Sequence, residues 1–399
     1  MTATTTSTGT PEHISYLELN GKACPWGDYQ ELFEQGVFRS EDLTGFFGVL
    51  SHDLVRASAT DHERLSSAQG ATIPRVTDPN VPAVPLESDP PVSAAYRRLL
   101  QGPLRPKNMD AYVDVITDIT REWLQEHATT GETNLHPLAE FLPGAVIAQV
   151  LGLPREDVGD FVGWSNSVVE GAITGNPELQ MDSVKSLLGY IFGQVAHFRE
   201  NPSDGLLSTV ANAEIDGEPI SDGAAAGAVF LLIMAGHETT TNGLAWLIRQ
   251  VGTEQGLKQT LLDDPERIDD AIEESLRIES PVQFMGRTAT EDMEIGGCPV
   301  AKGEAVAMMW GPANHDPSKF ANPDVFDLDR DTTGHLAFGH GVHRCVGEHL
   351  ARLEMKLVLK EILDWMPDYE MVGELELKKN VATTRGPSVL EVRFTPPQG

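Results

Sequence analysis

The stretch Phe338-Gly-His-Gly-Val-His-Arg-Cys-Val-Gly347 sets one cysteine, Cys345, where a glycine-rich loop runs into an amphipathic helix. Val346, Leu350, Leu353 and Leu357 supply the apolar stripe of that helix. A helix N-terminus presents unpaired N–H groups and the positive end of its dipole, which favour thiolate over thiol. Gly339 and Gly341 let the backbone fold tightly beneath a flat ligand, and Gly347 removes a side chain beside it. Three other readings compete. Cys345 also reads as a buried structural residue after a glycine turn, or as a nucleophile with His340 or His343 as base, although no second acyl-transfer constellation accompanies it. A zinc site is the third, but His340, His343, Cys345 and His349 lack a standard ligand spacing.

Composition narrows the function classes. The chain has 399 residues, with 60 Asp/Glu against 29 Lys/Arg and a formal net charge of −31. That excess argues against nonspecific nucleic-acid binding, which needs cations to displace phosphate counterions, and against adsorption to an anionic membrane. Cys24, Cys298 and Cys345 are too scattered for a disulfide framework or a CxxC knuckle. The N-terminus has no basic region followed by an apolar run, and the longest apolar run, 224–236, is too short to cross a bilayer as a helix. A cytoplasmic protein is the expectation.

Helical periodicity dominates the middle of the chain. Helices are predicted over 93–124 with a break at Gly102-Pro103, over 138–151, within 155–200, over 220–251 and over 263–279, with a last one from about 345 to 364. The segment 70–91 is rich in proline and reads as a long surface loop, either one that covers a ligand or plain irregular surface. Short strands are predicted around the Gly296-Gly297 turn and in LELKK and VLEVRF near the end. The helix over 220–251 is apolar on most sides and must be buried.

With FGxGxxxCxG complete, the chain resembles the cytochrome P450 family, in its soluble bacterial type, over roughly residues 20–395. The resemblance implies a mainly α fold with small β-sheets and a long central helix, residues 1–19 being a flexible tail and 20–399 a single haem-binding domain. It implies haem b as cofactor, with Cys345 as the iron ligand, whose electron donation promotes O–O cleavage, and Phe338, Gly339 and Gly347 lining the loop beneath it. Ala235-Gly-His-Glu-Thr239 resembles the oxygen-binding stretch of the family. Thr239 is then expected to hydrogen-bond dioxygen and Glu238 to deliver protons, with Ala235 and Gly236 against the haem. Glu274 and Arg277 match the ExxR pair, and Arg330 resembles its third partner. Arg97, Arg287 and His343 match the cations that hold the haem propionates, while Ser93 stands where bacterial relatives often carry a further His.

The implied activity is a monooxygenase that activates O2 and hydroxylates a small lipophilic substrate. A peroxygenase, and a haem-thiolate isomerase or sensor, are the rivals. Neither a GxGxxG fingerprint nor an iron–sulfur cysteine cluster is present, so electrons are expected from a separate ferredoxin and its reductase. Arg344, Arg352, Lys356 and Lys360 share one half of the last helix and, with Arg98, Arg105 and Lys107, are expected to form a local basic docking patch. The resemblance places substrate contacts in the loop 70–88, at Val229, Leu232 and Ile233, and at Val282, Gln283, Phe284 and Met285. Mostly apolar, they suggest a terpenoid, aromatic or steroid, a monoterpenoid being the narrowest expectation. A monomer suffices for all of this.

Overall fold

The computed structural model describes residues 12–74, 81–379 and 382–397. Its axis is the helix Asp222–Thr253, which Ser221 caps by accepting the Ala224 N–H at 3.1 Å. Val229, Ile233, Leu244 and Ile248 are fully buried along it. The helices His136–Leu151, Pro177–Glu200, Ile268–Glu279 and Glu348–Trp365 pack against this axis. One large apolar cluster runs through all of them, from Val84 to Phe394.

The predicted helix over 93–124 divides into Val92–Leu100 and Asp110–His127, with a short 3₁₀ turn at Pro106–Asn108 between them. Pro265 similarly splits the predicted 263–279 helix: a 3₁₀ turn, Pro265–Arg267, precedes Ile268–Glu279. In both places proline removes an N–H that a continuous helix would need.

Strands are few. Val37–Ser40, Phe46–Val49, Ala305–Met308, Met285–Ala289 and Leu65–Ser66 form a five-stranded sheet in that spatial order. Only the pairing of Phe46–Val49 with Ala305–Met308 is parallel. Met293–Ile295 and Cys298–Val300 make the hairpin predicted at Gly296-Gly297, where both glycines have positive φ. Of the two terminal strand segments, VLEVRF contributes Glu391–Arg393, whereas LELKK makes a single bridge, Leu377 to Pro387.

The expected N-terminal tail behaves in two ways. Residues 1–11 lie outside the described residues, but Tyr16–Asn20 is a helix whose Tyr16 is buried edge-on against Phe46 and Phe284. Residues 75–80 of the proline-rich loop also lie outside the described residues. Its second half packs closely on the central helix, since a Cβ on Gly227 would stand 2.2 Å from the Pro82 carbonyl oxygen. Among the described residues no helix is long and apolar enough to cross a membrane.

Candidate active site

Cys345 lies before the last helix rather than on it. A 3₁₀ turn, Gly341–His343, leads to an extended Arg344, and the helix begins only at Glu348 with Gly347 as its cap residue. The Cys345 N–H donates to the Phe338 carbonyl at 2.9 Å, which closes the loop on itself. Gly341 adopts φ 73°, and a Cβ there would meet the Ala59 carbonyl oxygen at 2.4 Å, so the turn needs glycine twice over. Burial pushes the Cys345 thiol up. The Gly347 N–H works against that rise, as do the fields of Arg97 and Arg352, while Glu348 adds to it.

A network of charges supports this loop from outside. Arg352 lies 4.4 Å from the centre of the Phe338 ring and also bonds Glu273 and Glu348. Burial would raise the Glu273 carboxyl, but hydrogen bonds from His335 and Arg352 hold it down at about 2.

Glu274 and Arg277 are fully buried and paired through two hydrogen bonds of 2.7 and 2.9 Å. Arg277 also donates to the carbonyls of Asn314 and Pro323, both at 2.8 Å. Arg330 joins at 2.9 Å from Glu274, whose Oε1 also accepts the Asp327 N–H at 3.0 Å. Both buried charges are thereby satisfied, and the irregular chain 314–330 is tied to the helix Ile268–Glu279.

Arg97, Arg287 and the imidazole of His343 gather near the cysteine loop, and among the described residues neither arginine forms an ion pair. Arg287 is only 4% exposed, yet its guanidinium donates just to its own neighbour's carbonyl, Gly286, at 2.7 Å. Among the described residues it forms no salt bridge; burial lowers it to about 10, against the field of Asp89. His343 is lowered to about 4 by burial, then by Arg287, and among the described residues its buried Nε2 has no partner. Arg97, half-buried on Val92–Leu100, contributes to the field at both His343 and Cys345.

On the central helix the open face is Leu231, Met234, Ala235 and Thr239. Thr239 currently donates to the Ala235 carbonyl at 2.7 Å, the ordinary back-bond of a helical threonine. Gly236 turns elsewhere: a Cβ there would lie 2.7 Å from Ile147, so it serves the approach of the helix His136–Leu151 and not the open face. Glu238 is ion-paired with Lys378 at 3.1 Å and accepts from the Asn242 amide at 3.0 Å.

The expected pocket residues need correction. Val229 and Ile233 are 0% exposed and Leu232 6%, all within the main core. Leu231, four residues before Ala235, takes the open face instead, and that spacing was the signal available for it. Gln283 is buried and bonds the Glu279 and Ser280 carbonyls, while Phe284 stacks on Phe46 in the N-terminal aromatic cluster. Of that set only Val282 and Met285 remain half-buried.

The docking patch is also altered. Arg344 pairs with Glu348, Arg352 with Glu273 and Glu348, and Lys356 with Asp269 at 2.7 Å, so these charges are largely compensated. Arg98, Arg105, Lys107 and Lys360 are exposed. A hollow of about 230 Å³ bounded by Pro106, Met109, Asp269, His349, Arg352, Leu353 and Lys356 lies on this side.

The family profile "Cytochrome P450" matches residues 193–365. Cytochrome P450 107B1 of Saccharopolyspora erythraea is 35% identical over 72% of this chain and 71% of its own length. The chain belongs to the cytochrome P450 family. A steroid C26-monooxygenase of Rhodococcus jostii is 32% identical over 90% of this chain and 77% of its own. The crystal structure of CYP109E1 from Bacillus megaterium in complex with testosterone superposes with a TM-score of 0.84 at 29% identity, covering 96% of this chain and all of that one. This P450 is therefore a monooxygenase that takes haem b and hydroxylates a small lipophilic substrate with O2. Its residues fit that cofactor. The buried Arg287 and His343 Nε2, which lack an ion pair and a hydrogen-bond partner among the described residues, and the glycine-floored cysteine loop suit a flat ligand with two carboxylates on one edge.

Proposed function

We propose that Cys345 ligates the haem iron, that Arg97, Arg287 and His343 hold the propionates, and that residues 20–399 form one haem-binding domain. The observation that carries this is the buried guanidinium of Arg287, which has no salt bridge among the described residues. A buried cation without an anion is costly, and two propionates relieve that cost here. Bound haem supplies the activation of O2 and the insertion of one oxygen atom.

The chain's own contribution is positioning and proton handling. Burial raises the Cys345 thiol, and the Gly347 N–H with the fields of Arg97 and Arg352 offsets part of that rise. Thr239 presents a hydroxyl on the open face whose lone pairs accept hydrogen bonds while its proton rests on Ala235. Glu238, one residue earlier, supplies the ionisable group that exchanges protons with solvent. Leu231, Met234, Ala235, Val282 and Met285 offer an apolar surface that orients a lipophilic substrate and excludes water.

The substrate in this reading is a terpenoid, between monoterpenoid and steroid in size. The steroid activity of the Rhodococcus relative and the testosterone in the Bacillus structure support the upper part of that range. A separate ferredoxin supplies the electrons and approaches the side that carries Arg98, Lys107 and Lys360.

The decisive experiment is the reduced, CO-bound visible spectrum of the protein beside Cys345→Ser and Arg287→Leu. A Soret band near 450 nm in the parent, absent in Cys345→Ser, and a reduced haem content in Arg287→Leu are the expected results. Spin-state titrations with testosterone and with a monoterpenoid then choose the substrate size. Product formation with NADPH, a ferredoxin and its reductase tests the electron route.

A further inference from the structure

Near the C-terminus the chain 382–385 is held by its backbone. The Ala382 carbonyl accepts the Tyr16 hydroxyl at 2.7 Å, the Thr383 carbonyl accepts the Gln283 N–H at 2.8 Å, and the Arg385 carbonyl accepts Trp246 Nε1 at 3.1 Å. The Arg385 N–H donates to the Pro281 carbonyl at 3.0 Å, and the buried Arg385 guanidinium bonds Glu279 and the Lys22 and Ala23 carbonyls. Between these bonds Thr384 and Val282 form an antiparallel bridge. The bonds on either side make theirs a non-hydrogen-bonded pair, in which the two opposed side chains stand close together on one face. Thr384 therefore lies beside Val282, which belongs to the apolar surface assigned above to the substrate. Its Oγ1 is buried and has no hydrogen-bond partner among the described residues. The amide of the neighbouring Gln283 donates instead to the Glu279 and Ser280 carbonyls, at 2.8 and 2.7 Å.

We propose that Thr384 determines specificity: its hydroxyl hydrogen-bonds a ketone or hydroxyl oxygen of the substrate, so the pocket selects oxygen-bearing terpenoids and steroids over hydrocarbons of the same shape. This rests on the reading that Val282 faces a lipophilic substrate. A ligand that fills the pocket excludes water from the Thr384 hydroxyl. A hydrocarbon then leaves a buried polar group unmet, whereas a substrate oxygen meets it. A hydroxyl serves both kinds of oxygen, since it donates to a ketone and accepts from an alcohol. A site built around such a bond rejects the analogue that lacks the oxygen more strongly than an apolar pocket rejects a change of one methylene. The bonds of Ala382, Thr383 and Arg385 fix the backbone on both sides of Thr384, so little ordering is needed when the substrate binds. With Leu231, Met234, Ala235, Val282 and Met285 apolar, one polar contact suffices to set which end of the substrate lies against Thr384.

The test is a spin-state titration of the haem-loaded enzyme with two matched ligand pairs, menthone against menthane and testosterone against androstane. The parent is compared with Thr384→Val, which keeps the shape and removes the hydroxyl, and with Thr384→Ser, which keeps the hydroxyl. Thr72→Val is the third variant, because Thr72 Oγ1 is also buried without a partner among the described residues. For whichever pair shifts the spin state, Thr384→Val is expected to lower the affinity ratio of oxygen-bearing ligand to hydrocarbon by about tenfold, within what an unmet buried hydroxyl costs. Thr384→Ser and Thr72→Val should keep the parent's ratio. The infrared carbonyl band of menthone bound to the parent should lie below its position in hexane and return toward it in Thr384→Val. An unchanged ratio in Thr384→Val, an equal loss of affinity for both members of a pair, or a parent band at the hexane position overturns the anchor and leaves the apolar pocket standing. A fall in Thr72→Val with none in Thr384→Val also overturns it, by giving the oxygen to the other hydroxyl. No spin-state shift with any of these ligands overturns the terpenoid reading and the anchor with it.

Discussion

Arg277 makes four hydrogen bonds inside the protein with no exposure to water. Removing one member of such a pair leaves a buried charge, a loss of about 3–5 kcal/mol. Arg277→Leu and Glu274→Gln are therefore both expected to lower the unfolding free energy in urea by that order and to reduce haem content per protein. A second residue-scale prediction concerns acid. His136 is held down at about 4 by burial and by Lys378, against the Pro387 carbonyl, whereas an unfolded histidine titrates near 6.5. The unfolded chain therefore binds the extra proton between those values. The stabilisation is complete above about pH 6.5 and is lost as pH falls toward 4, at most about 3 kcal/mol. His136→Gln should show a shallower fall in urea midpoint from pH 7 to 4.5 than the parent does.

At the scale of elements, contacts between helices and irregular chain matter most. The Pro82 carbonyl rests on the central helix only because residue 227 is glycine. Gly227→Ala should push the 81–91 segment outward, and a changed dissociation constant for whichever lipophilic compound shifts the spin state would register it. Gly341→Ala combines a positive φ with a backbone clash, so the cysteine loop should deform and the CO-bound Soret band should weaken. Helix identities were largely legible because apolar periodicity carries them. Their boundaries were not: the 3₁₀ turns at Pro265–Arg267 and Gly341–His343 depend on local backbone bonds that periodicity does not record. The ExxR spacing was legible as a pair on one face, since i,i+3 geometry belongs to the helix itself. Lys378 was not, because the alternation of LELKK only marks its face as polar, with no hint that a helix residue 140 positions earlier meets it.

For the whole molecule, a net charge of −31 sets the background against which any partner must bind. Arg344, Arg352 and Lys356 are paired with their own neighbours, so of the expected patch Arg98, Arg105, Lys107 and Lys360 remain exposed for the acidic ferredoxin proposed above. Arg98→Glu/Lys360→Glu should slow its association and weaken the salt dependence of electron transfer, with haem content unchanged. Stopped-flow reduction at stepped ionic strength measures this.

The amino-acid sequence by itself determined the helix-rich class, the cysteine loop, the buried central helix and the Glu274–Arg277 pairing, because each depends on residues close together along the chain. Tertiary structure alone decided which face of the central helix is open, placing Leu231 there and Val229 and Ile233 in the core. It also decided that Gln283 and Phe284 turn inward, that Arg287 is buried without a salt bridge among the described residues, and that Lys378 closes on Glu238. The physical reason is shared by all four. A side chain's type and spacing fix what it can bond, but only the packing of distant segments fixes which partners, and which water, it meets.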